Sequence, residues 1–400
     1  MANHRGSNTA SDRISQLPED VKHLILECLS TWEVARTALL STQWHHVWLR
    51  LGRLVFDWEF GEGLHDRACS NLVKTITNVL FLRSGPVKKF RLQMSETTLQ
   101  KPDLDLWCLF LSRNGIEKLQ LSVRFYENFI HKYTLPLCLF SCPTIKYLEL
   151  EYVDFLFPVN ARLGSIFSGL TSLKFKAVLF NPNATGILLK LPNLEELVFD
   201  VCDDIHNFVV SAPKLKSLTF TDCSLVTDWK WFEVHVPVIK TLHFSAYSFG
   251  GHHVDGLNVQ ERLPMALNLQ AIELDGLCFF CGKCLPLVIQ FLQKCPKLSQ
   301  LEMYMGVEEW SPSVLENLDR WFGDQDLCKL KKITMKEFRG LIPEMLLIKI
   351  ILSKSPELEE IIIIEPNDDQ LDACAALKIT REMNRFPRAS PKAQVIFFGN

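Results

Sequence analysis

Along most of the chain one short pattern recurs: an apolar residue, two free positions, a second apolar residue, one free position, then a third. It begins as Ile116/Leu119/Leu121 and Ile145/Leu148/Leu150 and runs on to Leu330/Ile333/Met335 and Leu358/Ile361/Ile363. The middle positions of ten copies are Leu119, Leu148, Leu173, Leu197, Leu218, Leu242, Ile272, Leu301, Ile333 and Ile361, at spacings of 21 to 32 residues. Val87/Phe90/Leu92 and Leu51/Leu54/Phe56 extend the series toward the front. Self-similarity at such a period is the mark of a stacked repeat. Each copy predicts a short strand whose middle and last apolar residues turn inward, with polar neighbours such as Lys118, Gln120 and Glu149 outward.

Proline fixes the phase. Pro143, Pro192, Pro213, Pro237, Pro296 and Pro356 each stand two residues before the first apolar position of a copy. Proline cannot continue a helix and biases its predecessor toward extended backbone, so each marks the approach to a strand. The upstream segments Leu285 to Lys294 and Leu346 to Lys354 carry apolar residues at helical spacing. One such unit cannot bury its apolar side alone. Stacked copies can, and they predict a curved α/β solenoid with a parallel sheet on its concave face.

Residues 12–51 follow a different rule. Leu17-Pro18-Glu19-Asp20 opens a helix, with proline suited to the first turn and two acids at the positive end of the dipole. Val21, Leu24, Ile25, Cys28 and Leu29 then repeat at three and four. A second helical stretch carries Val34, Ala35, Ala38 and Leu39, and a third carries Trp44, Val47 and Trp48. Leu26 and Leu40 fall off these main stripes. About 40 residues is close to the size at which folding alone becomes marginal. Three short helices with apolar residues on two sides therefore call for a partner, either the first repeat or another protein.

Composition narrows the class. The chain has 400 residues, 48% of them apolar and 22% charged, which is ordinary for globular protein. Its net charge of −3 is spread without blocks, unlike the basic footprint of a nucleic-acid binder or a polybasic membrane anchor. Met1 to Asp12 lack the apolar run of a signal peptide, and the sequence has no stretch long and apolar enough to suggest a membrane span. A cytoplasmic or nuclear location is expected. Thirteen scattered cysteines suit that setting as reduced, buried, small apolar residues.

Three stretches resemble a known family. The repeat itself is similar to the irregular leucine-rich repeat of plant F-box proteins, and Cys202 and Cys223 stand three residues after the last apolar position, where that pattern carries Asn or Cys. Asp12 to Asp20, then Ile25-Leu26, Leu39-Leu40-Ser41-Thr42 and Trp44 through Trp48, resemble the plant F-box. Gln43 and His45 replace the basic residues common there, and Cys28 replaces a common Ser. Leu330-Lys331-Lys332-Ile333 with Phe338-Arg339-Gly340, Pro356 to Glu360, and Arg388 to Gln394 followed by Val395 to Phe398 resemble the FBD region of the same proteins.

The resemblance implies a tail at 1–11, an F-box at 12–51, a leucine-rich-repeat horseshoe at 52–325 and an FBD region at 326–400 completing it. It also implies a partner, the Skp-type adaptor of a Skp–cullin–F-box ubiquitin ligase. Leu17, Pro18, Ile25, Leu26, Leu29, Leu39, Leu40, Trp44 and Trp48 would supply the docking surface or support it. A cullin scaffold would be reached through the adaptor, and the repeats would hold a protein substrate. The competing expectation is a non-ligase scaffold whose repeats bind a protein partner.

No catalytic or metal site and no cofactor is expected. Cys278, Cys281 and Cys284 with Cys295 have spacing that four thiolate ligands could use. Cys295, however, occupies the position before a repeat proline, where other copies place Cys142, Leu191, Ala212, Val236 or Ser355, and the set is read as packing. His252-His253 and His45-His46 have no nearby acidic or thiol set. Phosphate-binding glycine loops and nucleophile elbows are absent from the sequence. The aromatic groups Phe56 to Phe60 and Trp229 to Phe232, with Tyr304 and Trp310, are read as core filling between repeats.

Overall fold

The computed structural model describes residues 14–62, 70–95, 99–124, 133–154, 167–180, 188–223, 238–245, 266, 268–277, 288, 292–306, 327, 329–366 and 373–398. They fall into two compact units, residues 1–154 and 155–400.

The first unit opens with three short helices, α1 (Glu19–Glu27), α2 (Thr31–Thr37) and α3 (Thr42–Arg50). Strand β1 (Arg53–Phe56), α4 (Trp58–Glu62), α5 (Ser70–Phe81), β2 (Lys89–Ser95), α6 (Lys101–Arg113) and β3 (Lys118–Arg124) follow. The unit ends with β4 (Tyr133–Thr134), α7 (Leu137–Phe140), β5 (Tyr147–Glu151) and β6 (Val153–Asp154). Strands β1, β2, β3 and β5 pair in parallel in that order, one strand per repeat, and β4 pairs with β6.

In the second unit one parallel series contains β7 (Ser172–Lys176), β9 (Glu196–Asp200), β11 (Ser217–Thr221), β12 (Thr241–Ser245) and β13 (Ala271–Leu277). It continues through β14 (Gln300–Met305), β15 (Lys332–Lys336), β16 (Glu360–Ile364) and β17 (Gln394–Phe398). The short strands β8 (Leu189–Lys190) and β10 (Val210–Ser211) form a second parallel pair. Helices α8 (Ile342–Lys354) and α9 (Ala373–Met383) connect the last three strands of the series. Chain order equals strand order, the arrangement of an α/β solenoid.

Register follows the repeat pattern. Leu197 pairs with Leu173 and Leu218, and Phe199 with Phe175 and Phe220. The middle and last apolar residues of all ten copies are at most 2% exposed. At the last position phenylalanines stack from repeat to repeat, Phe175 on Phe199 at 5.7 Å and Phe199 on Phe220 at 5.3 Å between ring centres. Leu51/Leu54/Phe56 and Val87/Phe90/Leu92 are buried likewise and begin the strand series at β1 and β2. Strand β17 adds a copy that the apolar triplet does not reveal: Val395 and Phe397 are the register partners of Ile361 and Ile363, but the first position, three residues before Val395, is Lys392.

The repeat prolines have a specific backbone role. The N–H of Leu194 donates to the carbonyl of Leu191 at 3.2 Å, that of Leu215 to Ala212 at 3.1 Å, Leu298 to Cys295 at 3.0 Å and Leu358 to Ser355 at 3.3 Å. Pro192, Pro213, Pro296 and Pro356 thus occupy the second position of a four-residue turn, where their fixed φ is already correct. Pro237 lies outside the described residues.

At the far end of the strand a second device recurs. Tyr152, Ala177, Val201, Asp222 and Glu337 each follow their strand directly and hold φ between 48° and 58°. Left-handed backbone at non-glycine residues is uncommon. Its return at equivalent places shows that the repeat geometry imposes it.

The helix expected from Leu346 to Lys354 is the body of α8. Of the segment Leu285 to Lys294, residues 292–294 are helical, while 285–287 and 289–291 lie outside the described residues.

Candidate partner-docking surface

The three N-terminal helices are set by their caps. Ser30 and Glu33 form a capping box at the start of α2: Glu33 N–H donates to Ser30 Oγ at 3.3 Å, and Ser30 N–H donates to Glu33 Oε2 at 2.9 Å. The Ser30 backbone and hydroxyl bonds hold the Glu33 carboxyl below its ordinary range. Ser41 caps α3 by accepting from Trp44 N–H at 3.4 Å. Pro18 precedes α1 with extended backbone.

The core of this small unit is Leu26, Val34, Trp44, Val47 and Trp48, all at most 7% exposed. Lys22 joins it. Its stem is buried while Nζ reaches Gln43 Oε1 at 2.9 Å and lies 5.9 Å from the Trp44 ring centre. This reverses the face assigned to α1 from spacing. Leu24, Ile25 and Cys28 face solvent, and the off-stripe Leu26 is the residue fully buried. Lys22 reaches Gln43 and Trp44 of α3, so the side of α1 that carries Leu26 and the lysine stem turns inward and the wider apolar stripe is left outside.

The nine residues named above separate accordingly. Leu39 is 86% exposed, Leu40 72% and Ile25 37%. Pro18 is exposed, and Leu17 and Leu29 are half-buried. Leu26, Trp44 and Trp48 are interior. Three further apolar side chains belong to the open set: Ile14 at 61%, Leu24 at 64% and Trp32 at 36%. Trp32 stands outside the apolar spacing from which the second helix was read, and Leu24 was hidden by its place on the main stripe of α1.

The same unit is fastened to the first repeat. Val55 N–H donates to Thr31 Oγ1 at 2.8 Å, which covers the outer edge of β1. Arg53 Nη1 donates to the carbonyls of Glu27 and Leu29 at 3.2 and 3.0 Å, capping the end of α1. Arg83 Nη2 donates to the carbonyls of Trp48 (3.1 Å) and Leu51 at the end of α3. The aromatic group after β1 is core, as expected: Phe56 and Phe60 are buried with ring centres 4.9 Å apart, and Trp58 is half-buried.

The other candidate chemistry resolves in part. Cys295 is buried and its thiol is pushed up to about 12 by burial, the behaviour of a packed neutral group. Cys278, Cys281 and Cys284 lie outside the described residues, as do His252, His253, Trp229 to Phe232 and Trp310. His45 and His46 are exposed. Tyr304 is half-buried, and its hydroxyl accepts from Lys336 Nζ at 2.6 Å. Among the described residues no helix is long and apolar enough to cross a membrane.

Comparison with known proteins places both parts of the molecule. Residues 79–305 match the family model described as "At1g61320/AtMIF1, LRR domain", and residues 14–56 match the F-box domain model. The F-box/FBD/LRR-repeat protein At1g13570 of Arabidopsis thaliana is 29% identical, with 96% of this chain and 98% of the relative aligned. The FBD-associated F-box protein At5g56370 of the same plant is 24% identical over 96% of this chain and all of its own length. A third, FBD-associated F-box protein At3g52670, is 27% identical over 76% of this chain and 69% of the relative. With the leucine-rich-repeat match covering more than half of the chain, an F-box before it and alignment from end to end, the chain belongs to the plant F-box/FBD/leucine-rich-repeat family.

Proposed function

We propose that this protein is the substrate-recognition subunit of a Skp–cullin–F-box ubiquitin ligase. The helical unit binds the Skp-type adaptor through Leu17, Pro18, Ile25, Leu39 and Leu40, joined by Leu24 and Trp32. Leu26, Trp44 and Trp48 act from beneath by holding α1 and α3 in place, and Leu29 lies at the margin. The adaptor links to a cullin scaffold, and the repeats with the C-terminal FBD region hold a protein substrate. The chain performs no chemistry. Tethering raises the effective concentration of substrate lysines at the ubiquitin donor.

The observation that carries this reading is the exposure of Leu39 and Leu40. Two adjacent leucines stand in solvent at the end of α2 while the unit has a complete small core without them. At 86% and 72% exposure they are not packed on the described residues of the first repeat, which supports a use outside the fold.

The test is co-purification of the tagged full chain with a Skp-type adaptor and a cullin, for the native sequence and for Leu17→Ala with Pro18→Ala. Loss of adaptor and cullin together, with the repeats still folded by circular dichroism, supports the assignment. Unchanged capture rejects it. Capture of the adaptor without any cullin favours a non-ligase scaffold.

A further inference from the structure

On the open face of the second unit, charges come in opposite pairs from strand to strand. Lys176 meets Asp200 at 3.8 Å, Lys332 meets Glu360 at 2.6 Å, and Lys174 meets Glu196 at 3.0 Å. Glu273 and Glu302 are register partners, yet Glu302 has its own cation in Lys336, and Glu273 lies 3.7 Å from His243 Nδ1. Such pairs are the ordinary way a parallel ladder carries charge, since like charges directly opposite destabilise it.

The first unit breaks this rule. Arg53 of β1 pairs in register with Lys89 of β2, and Lys89 with Lys118 of β3, so three cations stand in one row. Arg91 lies two residues further along β2 on the same side. Adjacent strands lie about 4.8 Å apart, so the row's backbone spans roughly 10 Å. All four side chains are half-buried on the face opposite the core residues Leu54, Phe90 and Leu119. Among the described residues none of them pairs with a carboxylate. Arg53 donates to the two α1 carbonyls, and Lys118 Nζ lies 3.9 Å from the centre of the Tyr147 ring. On strand β5, Glu149 is taken by Gln120 at 2.7 Å and Tyr147 at 2.5 Å. Burial holds the Lys89 ammonium below its ordinary range, Lys118, Arg53 and Arg91 add repulsion, and Glu27 opposes the shift.

We propose that Arg53, Lys89, Arg91 and Lys118 form a docking site for a phosphorylated segment of the protein substrate. This rests on the reading above in which the repeats hold a substrate. An extended peptide places same-side carboxylates about 6.6 Å apart, two residues on, so a run of acids brings few charges to so compact a row. One phosphoserine brings close to two negative charges and three acceptor oxygens to a single point. Arginine forks are suited to those oxygens, and Lys89 supplies the point charge between them.

The experiment uses the full chain bound to its Skp-type adaptor. Fluorescence anisotropy measures binding of a labelled Gly-Ser peptide carrying two phosphoserines, its unphosphorylated form, a version with glutamates in place of the phosphoserines, and a single-stranded oligonucleotide of equal charge. The phosphopeptide is expected to bind about tenfold or more tightly than any of the other three. Lys89→Glu with Arg91→Glu, or the milder Lys89→Gln with Arg91→Gln, should abolish that preference while adaptor capture stays intact. Lys329→Glu with Lys331→Glu in the second unit should leave it unchanged. Equal binding of the glutamate peptide or the oligonucleotide, or unaltered binding by the Lys89/Arg91 variants, overturns the proposal. So does phosphopeptide binding by the full chain alone that is lost in its complex with the adaptor, because the row would then belong to the adaptor. Failure of adaptor capture alone bears on the docking leucines and not on this row.

Discussion

The guanidinium of Arg83 lies over the indole of Trp48, 5.2 Å from the ring centre, and joins the last helix of the F-box to the repeat behind it. Its Nη2 caps α3 through the Trp48 and Leu51 carbonyls, while its Nε and Nη1 are buried with no hydrogen-bond partner among the described residues. Burial pulls its pKa down to about 10, which still leaves the group charged at every physiological pH. A cation at a helix C-terminus is favourable, and hydrogen bonds from a charged donor each contribute roughly 1.5–3 kcal/mol.

Arg83→Ala removes the cap and the ring contact together. We expect the first unit to lose roughly 2–3 kcal/mol, seen as a lower urea midpoint in tryptophan fluorescence. An unchanged midpoint would show that the buried, half-satisfied guanidinium costs as much as its two bonds return.

The separation of interior from surface within the F-box predicts opposite behaviour for neighbouring apolar residues. Trp44 is 3% exposed, so Trp44→Ala opens a large cavity and should cost about 3–5 kcal/mol. Leu39 is 86% exposed, and Leu39→Ala should change stability by no more than about 0.5 kcal/mol. Thermal unfolding of the two variants side by side checks this. A destabilised Leu39→Ala variant would place that residue in a contact the fold does not show.

Much of the architecture was legible because the solenoid repeats one local rule many times. Leu197, Leu218 and Leu242 are inward for the same reason, and the prolines fix the phase. The small helical unit was harder to read. A nine-residue helix allows more than one apolar stripe, and the side carrying Lys22 and Leu26 is the one that turns inward, with Lys22 reaching Gln43 and Trp44 of α3, so Ile25 and Leu26 exchanged roles. The basic row was invisible for a related reason. Arg53, Lys89 and Lys118 are far apart in sequence, their separations follow no strict period, and only strand register brings them side by side. Strand β17 was missed because Lys392 stands where the first apolar residue of the triplet belongs.

Val201 holds φ at 51° just past β9, where a β-branched side chain is strained. It is 50% exposed, and its N–H donates to the Thr221 carbonyl at 2.8 Å. Val201→Asn keeps that bond and suits the left-handed region, so the second unit should gain about 0.5–1 kcal/mol. The melting temperature of the full chain is the readout. A lower value would mean that the exposed valine contributes more through packing than its backbone costs.

Glu344 gives a pH dependence with a definite sign. It is 1% exposed at the start of α8, accepting from Arg339 N–H at 3.1 Å and Leu341 N–H at 2.8 Å. Burial raises its pKa to about 7 against those bonds. A carboxyl whose folded value lies above its unfolded one contributes stability at low pH and loses it as pH rises through the folded value. The second unit should therefore weaken between about pH 4.5 and pH 7 by up to roughly 3 kcal/mol from this group. Glu344→Gln should flatten the profile in that window, measured by urea unfolding at several pH values. A profile unchanged by the substitution would remove Glu344 as its source.

Calorimetric titration of the purified full chain with a Skp-type adaptor, native against Leu39→Ala with Leu40→Ala, puts the docking surface to the most direct trial. Two solvent-facing leucines that become covered contribute about 1.5–3 kcal/mol each. The native chain should bind with one-to-one stoichiometry, and the double variant should bind roughly a hundredfold more weakly with its melting temperature unchanged. Equal affinity for both proteins would contradict the assignment of this face to the adaptor.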